Sequence, residues 1–487
     1  MRLNPYIYSQ NLINKSELKT FEKIDSFKVM QKAAKKSFDY IVQNLQFRKI
    51  LILCGPGNNG GDGMLIANHF INRKKNVTIF APLELGKTKD SNKALLSLKN
   101  SDLIKENINI NKYDLIIDSL FGVGLNRPIS EELFFLIKKI NNAKTTIISI
   151  DIPSGIYTDT GKKDLIAIKA NITLTFHRLK PGLLLLPGKE YAGKIEILDI
   201  QLANLDSETN IQLLTPPSLK KTKDSDHKYK RGTSYIIAGS QLIGASKLAA
   251  MAASQASLRS GAGVCKIFVE KNNENHFKPQ ILEEMIITYD NIKHLIEIIK
   301  NTHITSLIYG CGLDITQNNT ELLQFLLKQP INIVLDASAF SLIANNKQYF
   351  FKLLLKRTFA TVLTPHEGEF KKIFHYTNDK INDCLNASLQ TNSTILFKGS
   401  DTVITSPSGE IYINNESSPF LATAGSGDVL AGIIGGLLAQ KYIGIEASLL
   451  ACYIHSQCGI RLNHGLIASD LIKEIPNVLK RMTRVHN

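Results

Sequence analysis

The stretch Ile50-Leu51-Ile52-Leu53-Cys54-Gly55-Pro56-Gly57-Asn58-Asn59-Gly60-Gly61-Asp62-Gly63 decides how the first part of this chain folds. An unbroken apolar run ahead of a glycine-rich turn reads as a strand covered on both faces, followed by a tight loop that opens a helix. Comparable runs follow at Val77 to Phe80, Tyr113 to Asp118, Thr145 to Asp151, Ile172 to Phe176 and Lys194 to Leu198, with helical stretches between them. Strands alternating with helices in this way predict an α/β fold with a parallel, doubly wound sheet.

Gly55, Gly57 and Gly60 match G-x-G-x-x-G, the turn that cradles a dinucleotide pyrophosphate. The next strand ends Phe80-Ala81-Pro82, however, with no acid at its tip to hold an adenosine ribose, and the loop carries Asn58, Asn59 and Asp62. A polar pocket of its own fits better. Asp118 and Asp151 each close a predicted strand, and Ser154 follows in Asp151-Ile152-Pro153-Ser154-Gly155. Strand C-termini of a parallel sheet open on one edge, so Asn59, Asp118, Asp151 and Ser154 are expected to face one crevice. Oxygen donors without Cys or His suit a hard or weakly bound cation.

The second half repeats the alternation: Ser234 to Ala238, Val264 to Val269, Ser306 to Tyr309, Ile333 to Asp336, Thr361 to Leu363, Ile395 to Phe397 and Ile411 to Ile413. Between the halves, Asp206 to Lys230 is polar, contains Pro216-Pro217 and reads as a linker or an entry arm. Near the end, Thr423-Ala424-Gly425-Ser426-Gly427-Asp428 runs into the apolar stretch Val429 to Ala439. Such a loop converges backbone N–H groups and the positive helix end beside one carboxylate. A phosphoryl group can sit on the amides while Asp428 takes a proton from a hydroxyl; the hexad alone also fits a helix that Asp428 merely caps. Lys398-Gly399-Ser400-Asp401-Thr402, between a strand and another β run, forms a short turn able to approach a nucleotide, and Thr364 to Glu369, with His366, follows another strand.

At 487 residues the chain exceeds one ordinary core. Its formal charge of +15 comes from Lys and Arg scattered among Asn and Ile rather than gathered in a stripe, which argues against a nucleic-acid partner. Six cysteines without a C-x-x-C pair read as reduced thiols; His455 and Cys458 share a helix face but lack a second ligand pair. Met1 to Lys23 lacks the apolar core of a signal peptide, and the run after Asp428 is short of the ~20 residues a membrane span needs, so a soluble cytoplasmic protein is expected.

Taken in order, the glycine loop at 55–63, Asp118 to Leu125, Asp151 to Gly155, Phe176 to Gly182, His227 to Gly232, Thr364 to Glu369, Lys398 to Thr402 and Ala424 to Asp428 resemble the bifunctional NAD(P)H-hydrate repair enzymes. The resemblance implies an epimerase domain with a Rossmann-like doubly wound sheet over 1–208, and a ribokinase-like ADP-dependent dehydratase domain over 209–487. It implies that Asn58, Asn59, Gly60, Gly61, Asp62, Gly122, Val123, Gly124, Leu125, Asn126, Arg127, Pro128 and Asp151 line the hydrated nicotinamide nucleotide in the first domain. Potassium is implied at Asn59, Asp118 and Ser154. In the second domain it implies that Ala245, Gly312, His366 and Asp428 contact the hydrate, while Lys398, Gly399, Ser400, Asp401, Thr402 and Gly427 hold the adenine nucleotide.

The expected chemistry follows. Asp428 is the base that activates the S hydroxyl toward ADP, with Mg²⁺ present, and Asp151 with Lys180 handles protons as R and S epimers interconvert. The substrates are small molecules, with no nucleic-acid or membrane partner, and a homo-oligomer is expected. The chain departs from the family in Met30-Gln31-Lys32-Ala33-Ala34, where a carboxylate is lost, in Ser338, and in Gly310-Cys311-Gly312-Leu313-Asp314. A ribokinase-like kinase for a vitamin or sugar hydroxyl, or a first domain that binds without turnover, remains an alternative at this level.

Overall fold

In the first unit, the strands β1 (Lys49–Cys54), β2 (Asn76–Phe80), β3 (Ile104–Lys105), β4 (Leu115–Ser119), β5 (Thr146–Ile150), β6 (Ile172–Phe176) and β7 (Lys194–Leu198) form one sheet in the order 3-2-1-4-5-6-7. Every pairing is parallel. The computed structural model describes residues 4–485 apart from 106, 126, 127, 222 and 242. Alternate residues of β1 enter two cores: Ile50 and Ile52 pack with Met64, Ile66 and Phe70, while Leu51 and Leu53 pack with Leu133, Ile137 and Ile140. That is why β1 reads as a continuous apolar run rather than an alternating one. The strand order reverses between β1 and β4, so the loops after these two strands part there and leave a crevice.

Helices α1 (Gln10–Phe21), α2 (Ser26–Asn44) and α3 (Asn58–Asn72) precede or follow β1. The glycine loop runs into α3 at closer range than a side chain permits: a Cβ on Gly60 would lie 1.9 Å from the Gly55 carbonyl oxygen.

The second unit carries β8 (Ile211–Leu213), β9 (Thr233–Ile237), β10 (Val264–Glu270), β11 (Met285–Tyr289), β12 (Ser306–Tyr309), β13 (Asn332–Leu335), β14 (Thr361–Leu363), β15 (Thr394–Phe397), β16 (Val403–Thr405) and β17 (Ile411–Ile413). They form one sheet ordered 11-10-9-12-13-14-15-16-17-8. Pairing is parallel from β11 to β15 and antiparallel at β15/β16 and β16/β17. The helix Ser426–Ala439 is buried from Val429 to Ala439 against the helix Ile243–Arg259 and β12. Its small residues permit that approach, since a Cβ on Gly432 would meet the Ala253 carbonyl oxygen at 2.4 Å.

The chain divides into Met1–Ile211 and Gln212–Asn487, a few residues past the expected 208/209 boundary. The stretch expected as a linker contributes β8, and β3 and β11 also lie outside the predicted strands. All three are sheet edges, where one side faces no further strand and the apolar signal is correspondingly weak. No described helix is long and apolar enough to cross a membrane.

Candidate functional sites

A cavity of about 450 Å³ opens at the switch point of the first sheet. Asn58, Asn59 and Asp62 from the start of α3, Gly122, Val123, Gly124 and Leu125 after β4, and Asp151 after β5 line it. Gly60 and Gly61 do not; they face Gly55 and Met30 and serve the packing of α3. Pro128 is exposed and off the wall, and Asn126 and Arg127 lie outside the described residues. Gln31, the departure on α2, is exposed and does not line the cavity.

Strand β5 ends at Ile150, one residue earlier than expected, and Asp151 adopts φ +68°. A non-glycine residue in that region is strained, and such strain concentrates at functional sites. Its carboxylate Oδ1 accepts from Lys180 Nζ at 2.6 Å. Lys180 also donates to Thr175 Oγ1 at 2.8 Å and to the Phe176 carbonyl at 2.9 Å, and is fully buried. Each ammonium proton thus has an acceptor.

Asp118 and Ser154, expected to face the crevice, do not line it: both are fully buried behind its wall, where strand-end side chains turn into the core. Asp118 Oδ1 accepts from Ser154 Oγ at 2.6 Å, and Oδ2 from Ser149 Oγ at 2.8 Å and Ser154 N at 2.9 Å. Burial raises the Asp118 pKa despite these bonds and one from Leu120. All four donors are neutral, so the carboxylate carries no countercharge from hydrogen bonding. Asn59 Nδ2 is buried without a partner; its two amide orientations are alike in shape, and the reversed one presents an oxygen. An all-oxygen set with a buried, uncompensated carboxylate fits a potassium ion.

Two residues escaped the sequence reading. Glu17 and Asn14, one turn apart on α1, line the same cavity. Burial first, then the charge of Asp151, push Glu17 up to about 7 against the pull of Lys180. Asp62 is raised as well, by burial and by Asp151 and Glu17, and its Oδ1 has no partner.

In the second unit a cavity of about 590 Å³ is lined by His366, Lys398, Gly399, Ser400, Thr402, Gly427 and the segments 417–419 and 421–424. Asp401 does not line it: its carboxylate turns inward onto Lys380. His366 caps the helix Glu367–Ile373, its Nδ1 accepting from Glu369 N at 3.3 Å. Ala245, Gly312 and Asp428 are not on this wall but group nearby: a Cβ on Gly312 would sit 3.2 Å from the Ala245 carbonyl, and the preceding residue, Cys311, is close enough to lower the Asp428 pKa.

Gly425 takes φ +83° and is the cap of the helix Ser426–Ala439, which places Asp428 in the first turn rather than at the cap. Burial and then the charge of Asp336 push Asp428 up to about 6, against Cys311 and Lys398. Lys398 Nζ donates to Asp336 Oδ1 at 2.7 Å and lies 3.7 Å from Glu369 Oε2. A Cβ on Gly427 would come within 3.6 Å of that ammonium. His455 pairs not with Cys458 but with the loop: its Nε2 lies 3.0 Å from both Ser426 Oγ and the Ser426 carbonyl oxygen. Burial lowers its pKa to about 4, so the ring is neutral and holds the loop by hydrogen bonding. The strand-end position of Asp336 was legible in sequence; its pairing with Lys398, across 62 residues, was not.

The arrangement sets a partly buried carboxylate at a helix N-terminus near a lysine in one unit, and a carboxylate-rich pocket over a buried all-oxygen cluster in the other. The family model described as NAD(P)H-hydrate dehydratase matches residues 234–479, and that of the YjeF-related protein N-terminus matches 26–182. The bifunctional NAD(P)H-hydrate repair enzyme of Dictyoglomus turgidum is 33% identical over 98% of this chain and 99% of its own. That of Moorella thermoacetica is 31% identical over 94% and 93%. Among solved structures, the ADP/ATP-dependent NAD(P)H-hydrate dehydratase of Bacillus subtilis is similar at 26% identity and TM-score 0.46, covering 54% of this chain and 95% of its own. With relatives this similar from end to end, and a family model on each unit, the chain belongs to the bifunctional NAD(P)H-hydrate repair enzymes.

Proposed function

We propose that the first unit interconverts the R and S epimers of hydrated NADH or NADPH, and that the second dehydrates the S epimer at the expense of ADP, giving AMP and phosphate. The observation that carries the second reading is the position of Asp428, in the first turn of a buried helix and beside the loop amides of 425–427. Asp428 takes the proton of the S hydroxyl as its oxygen attacks the β-phosphorus of ADP, and the amides and Lys398 stabilise the developing charge. Mg²⁺ enters as the metal of the Mg·ADP co-substrate. Phosphate leaves the nicotinamide ring, pushed by the ring-nitrogen lone pair, and loss of the adjacent ring proton restores the double bond. Lys398, Gly399, Ser400, Thr402 and Gly427 are the nucleotide side of the site; Ala245, Gly312, His366 and Asp428 the hydrate side.

In the first unit Asp151, held by Lys180, exchanges protons with the C6 hydroxyl. Potassium held by Asn59, Asp118 and Ser154 would supply the positive charge that the buried carboxylate lacks. Six free, buried thiols support a reducing, cytoplasmic setting, and a homo-oligomer is the assembly we propose.

Recovery of reduced-nicotinamide absorbance from mixed R and S hydrates with ADP or ATP tests this reading. Full recovery supports both activities. Recovery of neither, with a stable phosphorylated product from a vitamin or sugar hydroxyl, replaces it with the kinase reading.

A further inference from the structure

Helix α1 precedes the segment matched by the first family model, which begins at residue 26. It is nevertheless fastened to the rest of the unit at several points. Tyr8 N donates to the Leu179 carbonyl at 2.9 Å, immediately before Lys180. Ser16 Oγ donates to the Ala203 carbonyl at 2.6 Å, and Ala203 N donates to Thr20 Oγ1 at 2.8 Å. With Ser16 and Thr20 buried against that segment, the neighbouring face formed by Asn14 and Glu17, three residues apart, is turned to the cavity.

Glu17 makes no hydrogen bond or ion pair among the described residues, although it is only partly exposed. It shares the cavity with two more carboxylates, Asp62 from α3 and Asp151 after β5, and the Asp62 Oδ1 in that wall is buried without a partner. The fully buried ammonium, Lys180, is already bonded to Asp151. Glu17 and Asp62 lie in the field of the Asp151 carboxylate as well as of each other, and with burial this raises the proton affinity of both. Separate environments for two carboxylates around one substrate assign one as acid and the other as base.

We propose that Glu17 is a catalytic acid of the epimerisation, delivering a proton to the departing C6 hydroxyl while Asp151 serves the opposite proton transfer. The inference rests on the epimerase reading of this unit. Protonated Glu17 gives its proton to the hydroxyl oxygen, the C6–O bond breaks with its electron pair, and water departs. The ring-nitrogen lone pair forms the C6=N iminium. Water then adds to the other face of C6 and gives up one proton to Asp151, which passes it on, so the epimer forms with no net change in protons, electrons or water. Glu17 returns to its protonated form from that released proton.

The test uses the full-length chain with R hydrate and with S hydrate as separate substrates, in the presence of ADP, after subtraction of uncatalysed epimerisation. Glu17→Gln is expected to lower kcat on R hydrate by on the order of 10² to 10³, with KM unchanged and S-hydrate dehydration intact. Wild-type kcat is expected to fall as pH rises past about 7, where Glu17 loses its proton among Asp62, Asp151, Lys180 and the cavity-lining Lys87; that limb is absent from Glu17→Gln. Glu17→Asp restores part of kcat and the limb with it, which a purely structural role would not do. Unchanged kcat in Glu17→Gln, or a raised KM at unchanged kcat, overturns the proposal. A wild-type protein that dehydrates S hydrate but never consumes R hydrate faster than buffer overturns the epimerase reading itself.

Discussion

Lys180 Nζ lies 2.6 Å from Asp151 Oδ1, at the one position where the chain leaves β5 with a positive φ. The ammonium is fully buried and the carboxylate faces the cavity, so the pair joins the core of the first unit to its site. Lys180→Ala is expected to slow epimerisation by on the order of 10² and to destabilise the unit by about 3 kcal/mol, because it leaves a buried carboxylate without its partner. Rates on R hydrate and a urea midpoint measure both; an unchanged epimerisation rate removes Lys180 from the mechanism.

Asp428→Asn is expected to reduce dehydration of S hydrate by on the order of 10² to 10⁴ and to leave epimerisation at wild-type rate. The pH dependence follows from the raised value of about 6. The base works only when ionised, so wild-type kcat/KM falls about tenfold per pH unit below that point. Stability has the opposite slope. Between the ordinary carboxylate value and about 6 the native state holds the extra proton, so this group's contribution falls as pH rises through that window. Denaturation midpoints on either side of it, for wild type and Asp428→Asn, check the sign.

Asp118→Ala is expected to abolish the response of epimerisation to potassium and to strand the R epimer while the S epimer is still repaired. The measurement is R-hydrate consumption over a potassium titration against sodium at constant ionic strength. A variant with the wild-type potassium response would move the cation away from Asp118.

Gly432→Ala sets a methyl group 2.4 Å from a backbone carbonyl and 2.8 Å from Ala253 Cα. Neither can give way cheaply, so a loss of about 2 kcal/mol or more is expected, with dehydration failing at a lower temperature than in wild type. Thermal inactivation of both activities in one sample reads this out: only the dehydratase should become more labile.

Much of the fold was legible because its signals are local. The run Ile50 to Leu53 is apolar at every position since both faces of β1 are covered, and Gly425 with Ser426 to Asp428 announces a helix whose first turn must accept close approach. Asp118, Asp151 and Asn59 could be gathered at one sheet edge because a parallel sheet sends every strand C-terminus the same way. The edge strands β3, β8 and β11 carried too little apolar contrast to be recognised.

Local patterns therefore suffice for the two α/β units, the glycine-rich loops at their strand ends and the family. Tertiary structure alone decided which side chains meet. Glu17 sits in a polar helix 134 residues before Asp151, and Lys398 lies 62 residues after Asp336, so no local pattern ties either pair. Burial decided the rest: a carboxylate that is an ordinary acid in water holds its proton to higher pH where neighbouring charge and the loss of solvent raise its affinity for it, as at Glu17 and Asp428.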